Sequence, residues 1–307
     1  MTDRALKLPK EYKQRVVAVW GEDGREWLQT LPSLIAHYQQ SWSLHAIKPL
    51  PNLSYNFVAQ AVVDSGTQAI LKIGVPNPEL FTEIEILSLY KDKPVAKLLE
   101  ADHDHGAFLI EQVVPGIPLH QWEDDEEQTK IIAHTIKKLL LPIPPEHQFP
   151  TIDKWFLAFE RLRKNFDGTS GPLPERLVRK AESLFTELQA SAPGEALLHG
   201  DLHHDNILSN GNHNWLVIDP KGVVADPAYE AARLQHNPIP HFLAMPNPER
   251  LAQKRISILS DILEIERNRL LAWGFFDALL SACWSVEDNE DWSSAIACAE
   301  ILDGLTD

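Results

Sequence analysis

The chain is short of cysteine and of positive charge, and it lacks any long apolar run; each shortage removes a class of protein. Only two cysteines occur, Cys283 and Cys298, too few for a disulfide framework or a cysteine metal cluster. Both lie in helix-like surroundings and are expected to be small core residues in a reducing cytoplasm. Lys and Arg number 28 against 44 Asp and Glu, a formal net charge of −16. Phosphate neutralisation needs clustered positive charge, so nucleic acid is excluded as the main partner. An acidic field suits a cationic ligand, but it also serves solubility alone. No apolar run reaches the roughly 18 residues that span a bilayer. The opening MTDRALKLPKEYKQRV has neither the apolar stretch nor the small-residue cleavage site of a secretory signal. No membrane partner is expected, and the oligomeric state is left open. At 44% hydrophobic and 23% charged, the 307 residues suit a globular protein with room for two domains.

Three regions separate on pattern. Up to about Trp42 the chain reads as helical, with Trp27, Leu28, Leu31, Leu34, Ile35 and Tyr38 at i, i+3, i+4 and i+7 spacing. From about Leu44 to Glu111 it is β-rich. Strand-like runs at Phe57 to Val63 and Ala69 to Ile73 flank the turn-forming DSGTQ. A helix is expected near Glu79 to Tyr90, then strands near Val95 to Glu100 and Phe108 to Val113. Beyond Pro115-Gly116 the pattern is mainly helical, broken by a Pro-rich loop around Leu141 to Pro150 and a hairpin between Leu208 and Ile218. The stretch NPIPHFLAMPNP, Asn237 to Pro248, reads as an ordered loop because its prolines forbid a continuous helix.

The strongest chemical signal is HGDLHHDNIL, His199 to Leu208, followed by Val217-Ile218-Asp219. Asp201 and Asn206 are five residues apart and Asp219 follows thirteen later. That is the spacing of the kinase catalytic loop H-R-D-x-x-x-x-N, with Gly200 in place of Arg. The chemistry asks for these residue types. One carboxylate receives or orients the proton of an attacking hydroxyl, while a carboxamide and a second carboxylate hold Mg²⁺ against phosphates. A hairpin through Ile207-Leu208 and Leu216 to Ile218, turning at Gly211 to Asn214, would bring Asn206 and Asp219 to one end. His199, His203 and His204 beside Asp201 and Asp205 resemble a zinc cluster, but the hard oxygen ligands and Asp219 favour Mg²⁺.

Lys72 lies inside the apolar run AILKI, where a lysine needs a partner. A strand lysine on the α- and β-phosphates, tied to a helix carboxylate, fits the same chemistry. Glu83 and Glu85 follow in the next helix on different faces, and Glu83 is the preferred partner. No Gly-x-Gly-x-x-Gly precedes Lys72. Ser54 and Asn56, within LPNLSYN, are the candidates for serving the phosphates without glycines. Glu111 and Val113 end the β-rich region at the position of a hinge whose backbone would meet adenine.

At these residues the chain resembles the aminoglycoside phosphotransferase family, most of all its streptomycin 6-kinase and hydroxyurea phosphotransferase branch. The strings that carry the likeness are LKIGVPNPE, TEIEIL, LIEQVVPGIPL, LLHGDLHHDNIL, VIDPKGVVADPAYEAA and LLSACWSVEDN, spread over nearly the whole chain. The resemblance implies an α+β, bilobal protein-kinase-like fold with a small β-rich N-terminal lobe and a larger, mainly helical C-terminal lobe. Residues 1–114 would form the first, with its leading helix and phosphate clamp, and residues 115–307 the second, with catalytic loop and acceptor pocket. It further implies ATP and Mg²⁺ as cofactors, Asp201 as catalytic base, Asn206 and Asp219 as metal ligands and Lys72 with Glu83 as the clamp. Pro220 stands where protein kinases have the Phe of D-F-G, and no A-P-E follows, which argues for a small-molecule acceptor. Candidate acceptor carboxylates are Glu230, Glu287, Asp288, Glu290 and Asp291, with Trp284 and Trp292 as stacking faces. The expected function is a cytoplasmic ATP- and Mg²⁺-dependent phosphotransferase for a streptomycin-like aminocyclitol, in the chemistry of antibiotic resistance. The rivals are a metabolic kinase for another sugar or amino alcohol and a nucleotide-binding protein without turnover.

Overall fold

The computed structural model describes residues 8–211 and 214–305. The expected turn tip at Asn212-His213 and the first seven residues of the opening segment lie outside the described residues. The chain divides between Val114 and Pro115 into two compact units.

The first unit is a helix laid on an antiparallel sheet. Helix α1, Lys10–Ser41, turns at Gly21, whose φ of 58° and ψ of −125° are open only to a residue without a side chain. Strands β1 (Leu44–Pro49), β2 (Phe57–Val63), β3 (Gln68–Ile73), β4 (Leu98–Asp102) and β5 (Ala107–Glu111) form one sheet in the order β1-β2-β3-β5-β4. The period of two decides what β3 does. Ala69, Leu71 and Ile73 are buried against Trp27, Leu31 and Tyr38 of α1, so Lys72 faces the other side. Helix α2, Pro78–Leu89, starts at Asn77, whose side chain accepts from the N–H groups of Glu79 and Leu80.

The second unit is mainly helical. Its helices are α3 (Asp125–Leu139), α4 (Ile152–Asn165), α5 (Glu175–Ala190), α6 (His241–Ala244), α7 (Pro248–Leu263), α8 (Arg267–Glu287) and α9 (Ser293–Asp303). Helix α8 is the core, packed by α4, α5, α7 and α9. Phe276 of α8 stacks on Phe159 and Phe185, and Trp273 meets Phe276 edge-on at 5.5 Å. By length and composition this helix could cross a membrane, but 72% of its apolar window is buried inside the protein. Asp277 interrupts the apolar residues of α8, which are buried in the protein.

Short β pieces frame the loop of interest. Strand β6 (Ile117–Pro118) pairs with β8 (Ile207–Gly211), and β8 pairs with β9 (Asn214–Val217). Strand β7 (Ala196–Leu198) pairs antiparallel with β10 (Val223–Ala225). Two expectations are corrected. The strand expected from Val95 starts at Leu98, after buried Val95 and Ala96, and is bulged between Leu98 and Glu100. The stretch Asn237 to Pro248 is not all loop, because α6 forms in the proline-free gap HFLA.

Candidate active site

In the first unit, Lys72 Nζ lies 2.7 and 2.8 Å from the two carboxylate oxygens of Glu83. The side chains are 12% and 7% exposed, so this is a nearly buried ion pair. Lys72 also stands 5.5 Å over the ring of its cross-strand neighbour Phe108. Glu85, two positions on, is half-exposed. Ser54 is exposed on the loop between β1 and β2. Asn56 lies against the backbone of Gly74, where an added Cβ would come within 2.3 Å of its Oδ1. Glu111 accepts from the N–H of Lys97 at 3.0 Å, and Val113 is buried one residue before the unit ends.

In the second unit, backbone bonds draw the three predicted oxygen-bearing residues together. The N–H of Ile218 donates to the carbonyl of Asn206 at 3.0 Å, extending the β8–β9 pairing by one step. Asn206 and Asp219 thus leave the hairpin at the same end. The Asn206 amide donates to the carbonyl of Asp201 at 2.9 Å, which ties the loop to that end. His199 closes it: its Nε2–H donates to Ile218 O at 3.0 Å, and its Nδ1 accepts from the N–H of Asp201 at 3.2 Å. Those two bonds select one neutral tautomer. Burial pushes the imidazole down to about 4, which agrees with a neutral ring.

The loop also has an anchor from below. Glu230 receives the N–H of His199 at 2.6 Å and of Gly200 at 3.1 Å. It is 2% exposed, and burial pushes its carboxyl up to about 7 against the pull of those N–H groups. Gly200 has φ of 81°, and an added Cβ would lie 2.8 Å from Val223. An arginine there has no room, which is the physical reason for glycine. The expectation that Glu230 lines an acceptor pocket is corrected, since its carboxylate is used by the loop backbone. Glu287 is engaged by Arg161 at 2.7 and 3.0 Å, and Asp291 caps α9 through Ser293. Asp288 and Glu290 are exposed, Trp292 is half-buried at the start of α9, and Trp284 packs edge-on to Trp155.

Two residues that sequence reasoning passed over, Arg233 and His120, complete the picture together with His203 and Asp205. Arg233 donates to Asp201 Oδ1 at 2.7 Å. His203 Nε2 is 3.8 Å from the same oxygen, and its Nδ1 is 3.4 Å from Asp205. Asp205 in turn meets His120 at 2.7 Å. Its carboxyl is held below the usual range by His203, and by His120 as well. His120 is in the wall of a cavity of about 320 Å³ that also includes Trp122, Glu123, Asp125, His241 and Met245. The only available signal for Arg233 was a charge inside the otherwise apolar AARL.

The donor set of Asn206 and Asp219 is hard oxygen, which fits Mg²⁺. Because the Asn206 nitrogen is turned to Asp201, its amide oxygen is on the opposite side of the group. Among the described residues no group of three or more His, Cys, Asp or Glu is placed to hold a metal ion.

A β sheet with a lysine–glutamate pair, followed by a helical unit with this loop, defines a protein-kinase-like small-molecule phosphotransferase. A solved aminoglycoside phosphotransferase APH(4)-Ia, bound to ADP and hygromycin B, shares that fold. It has a TM-score of 0.61 at 13% identity, over 90% of this chain and 99% of that one. Residues 50–289 match the family described as aminoglycoside/hydroxyurea antibiotic resistance kinase, and the chain belongs to it. It is 25% identical to streptomycin 6-kinase of Streptomyces glaucescens over 99% of both chains. It is 27% identical to hydroxyurea phosphotransferase of Kitasatospora aureofaciens, over 97% of this chain and 86% of that one. The chain is therefore a small-molecule kinase that acts on a hydroxyl acceptor.

Proposed function

We propose that this kinase transfers the γ-phosphoryl group of ATP, with Mg²⁺, to a hydroxyl of a streptomycin-like aminocyclitol in the cytoplasm. The observation that carries the reading is the tied group Asp201, Asn206 and Asp219. The acceptor oxygen bonds to the γ-phosphorus as the bond from phosphorus to the β–γ bridging oxygen breaks. ADP leaves with that electron pair, and the hydroxyl proton goes to Asp201. Asn206 and Asp219 would hold Mg²⁺, which when bound offsets phosphate charge. Lys72, held by Glu83, takes the α- and β-phosphates. Ser54 and Asn56 serve the phosphate loop, and backbone groups at Glu111 and Val113 meet adenine.

The acceptor is assigned to the cavity walled by His120, Trp122 and Glu123. It is joined to Asp201 by the contacts His120–Asp205–His203–Asp201. Its 320 Å³ is at the small end for ligand pockets, which suits one polar ring rather than a whole oligosaccharide. An indole beside a carboxylate suits a cationic sugar. The test is ATP consumption with Mg²⁺ across aminocyclitols, other sugars, amino alcohols and hydroxyurea. Turnover with aminocyclitols supports the reading. Turnover only with other sugars or amino alcohols replaces the substrate, and ATP binding without turnover on any acceptor overturns the catalytic assignment.

A further inference from the structure

Asp277 is a carboxylate in the middle of the apolar core helix α8, 1% exposed. Three donors reach it: Tyr229 Oη at 2.8 Å, His236 Nε2 at 3.1 Å and Arg233 at 3.2 Å. Burial opposes its charge, yet Arg233 and then His236 hold it well below the usual carboxylate range. Burial would likewise push the Arg233 guanidinium down, and Asp277 with Asp201 hold it firmly charged. One guanidinium thus spans two carboxylates, through Nη2 to Asp277 and Nη1 to Asp201 Oδ1. The other oxygen of Asp201, Oδ2, lies 3.5 Å from the Asn206 amide.

This arrangement does more than neutralise a buried acid. Tyr229 and His236 would suffice as hydrogen-bond donors to Asp277, and a lysine would suffice as its counter-charge. Only a planar fork reaches both carboxylates with fixed geometry. We propose that Arg233 is a positioning residue for phosphoryl transfer. Seated on Asp277, it clamps Oδ1 of Asp201 so that Oδ2 is the oxygen presented to the acceptor hydroxyl. The inference rests on Asp201 being the group that receives the acceptor proton. A carboxylate on a loop that rotates freely spends most of its time misaligned, so fixing its plane acts on the chemical step rather than on nucleotide binding.

The experiment is steady-state kinetics of wild type, Arg233→Lys and Arg233→Ala with ATP, Mg²⁺ and the acceptor that wild type turns over. Thermal melts and a titration with free guanidinium accompany it. In both variants kcat is expected to fall about 100-fold while KM for ATP stays within about twofold. Low millimolar guanidinium is expected to restore about tenfold to Arg233→Ala and nothing to wild type, a response that a purely structural role does not give. Arg233→Lys, which keeps the counter-charge for Asp277, gives the kinetic comparison if Arg233→Ala does not fold. A folded Arg233→Lys with kcat within about threefold of wild type overturns the inference. So does a folded Arg233→Ala that guanidinium leaves unchanged. If wild type turns over no acceptor, the reading of Asp201 fails and takes the inference with it. If wild type is active and the variants are unaffected, the inference alone fails.

Discussion

The side-chain amide of Asn206 donates to the main-chain oxygen of Asp201 at 2.9 Å, five residues back along the same loop. This bond gives Asn206 two duties at once. Its nitrogen holds the loop closed, and on the proposed reading its oxygen would hold the metal. The two duties separate by mutation. Asn206→Asp keeps an oxygen ligand but loses the donor and sets a carboxylate against Asp201.

We expect Asn206→Ala and Asn206→Asp both to lose about 100-fold or more in kcat. Activity of Asn206→Asp should respond more to added Mg²⁺ than that of Asn206→Ala, because only the former keeps a metal-binding oxygen. Mg²⁺ titrations of the three proteins check this.

The Lys72–Glu83 pair should behave as a nearly buried ion pair. Lys72→Met leaves the Glu83 carboxylate without its ammonium and should cost about 3 kcal/mol of stability. Replacing both residues, Lys72→Met with Glu83→Leu, should recover much of that loss without restoring ATP affinity. Denaturant melts report the first effect and KM for ATP the second.

Two buried groups at the loop titrate with opposite consequences. His199 has a folded value near 4, below its ordinary 6.5, so its contribution is present above pH 6.5 and is lost as pH falls through 4. Glu230 has a folded value near 7, above its ordinary 4.5, so its contribution is present below pH 4.5 and is lost as pH rises through 7. Each effect is on the order of 3 kcal/mol. The stability gap between wild type and His199→Gln should therefore narrow as pH falls from about 6.5 to about 4, while the gap to Glu230→Gln narrows as pH rises from about 4.5 to about 7. Chemical denaturation at stepped pH decides it; gaps moving in the same direction would contradict the assignment.

The cavity proposed to take the acceptor makes a kinetic prediction. Trp122→Ala and Glu123→Gln should each raise KM for the acceptor about tenfold and leave KM for ATP unchanged. Glu290→Gln and Asp291→Asn, in the exposed acidic run between α8 and α9, should change neither.

How far the sequence spoke for itself differs by element. The β2–β3 pair, α2 and the β8–β9 hairpin were legible because period and turn residues agree there. Asp201, Asn206 and Asp219 stood out because their spacing along one loop and hairpin is local. Strand β1 was missed because its burial does not alternate cleanly, and β7 and β10 because three residues give no period. Arg233 and Asp277 were missed for another reason. Their partners are 32 and 44 residues from Arg233, and no local pattern encodes a contact at that separation. The acidic run near the C-terminus drew attention by composition alone, while the cavity is assembled from side chains of residues 120–128 and 238–255 that share no motif.

The most direct test of the central claim compares wild type with Asp201→Asn, following by ³¹P NMR the acceptor-dependent conversion of ATP to ADP and a phosphorylated aminocyclitol. The account predicts a new phosphomonoester signal in wild type. In Asp201→Asn it predicts near-complete loss of that signal, with ATP binding retained in a parallel titration. A phosphomonoester formed at wild-type rate by Asp201→Asn would contradict it.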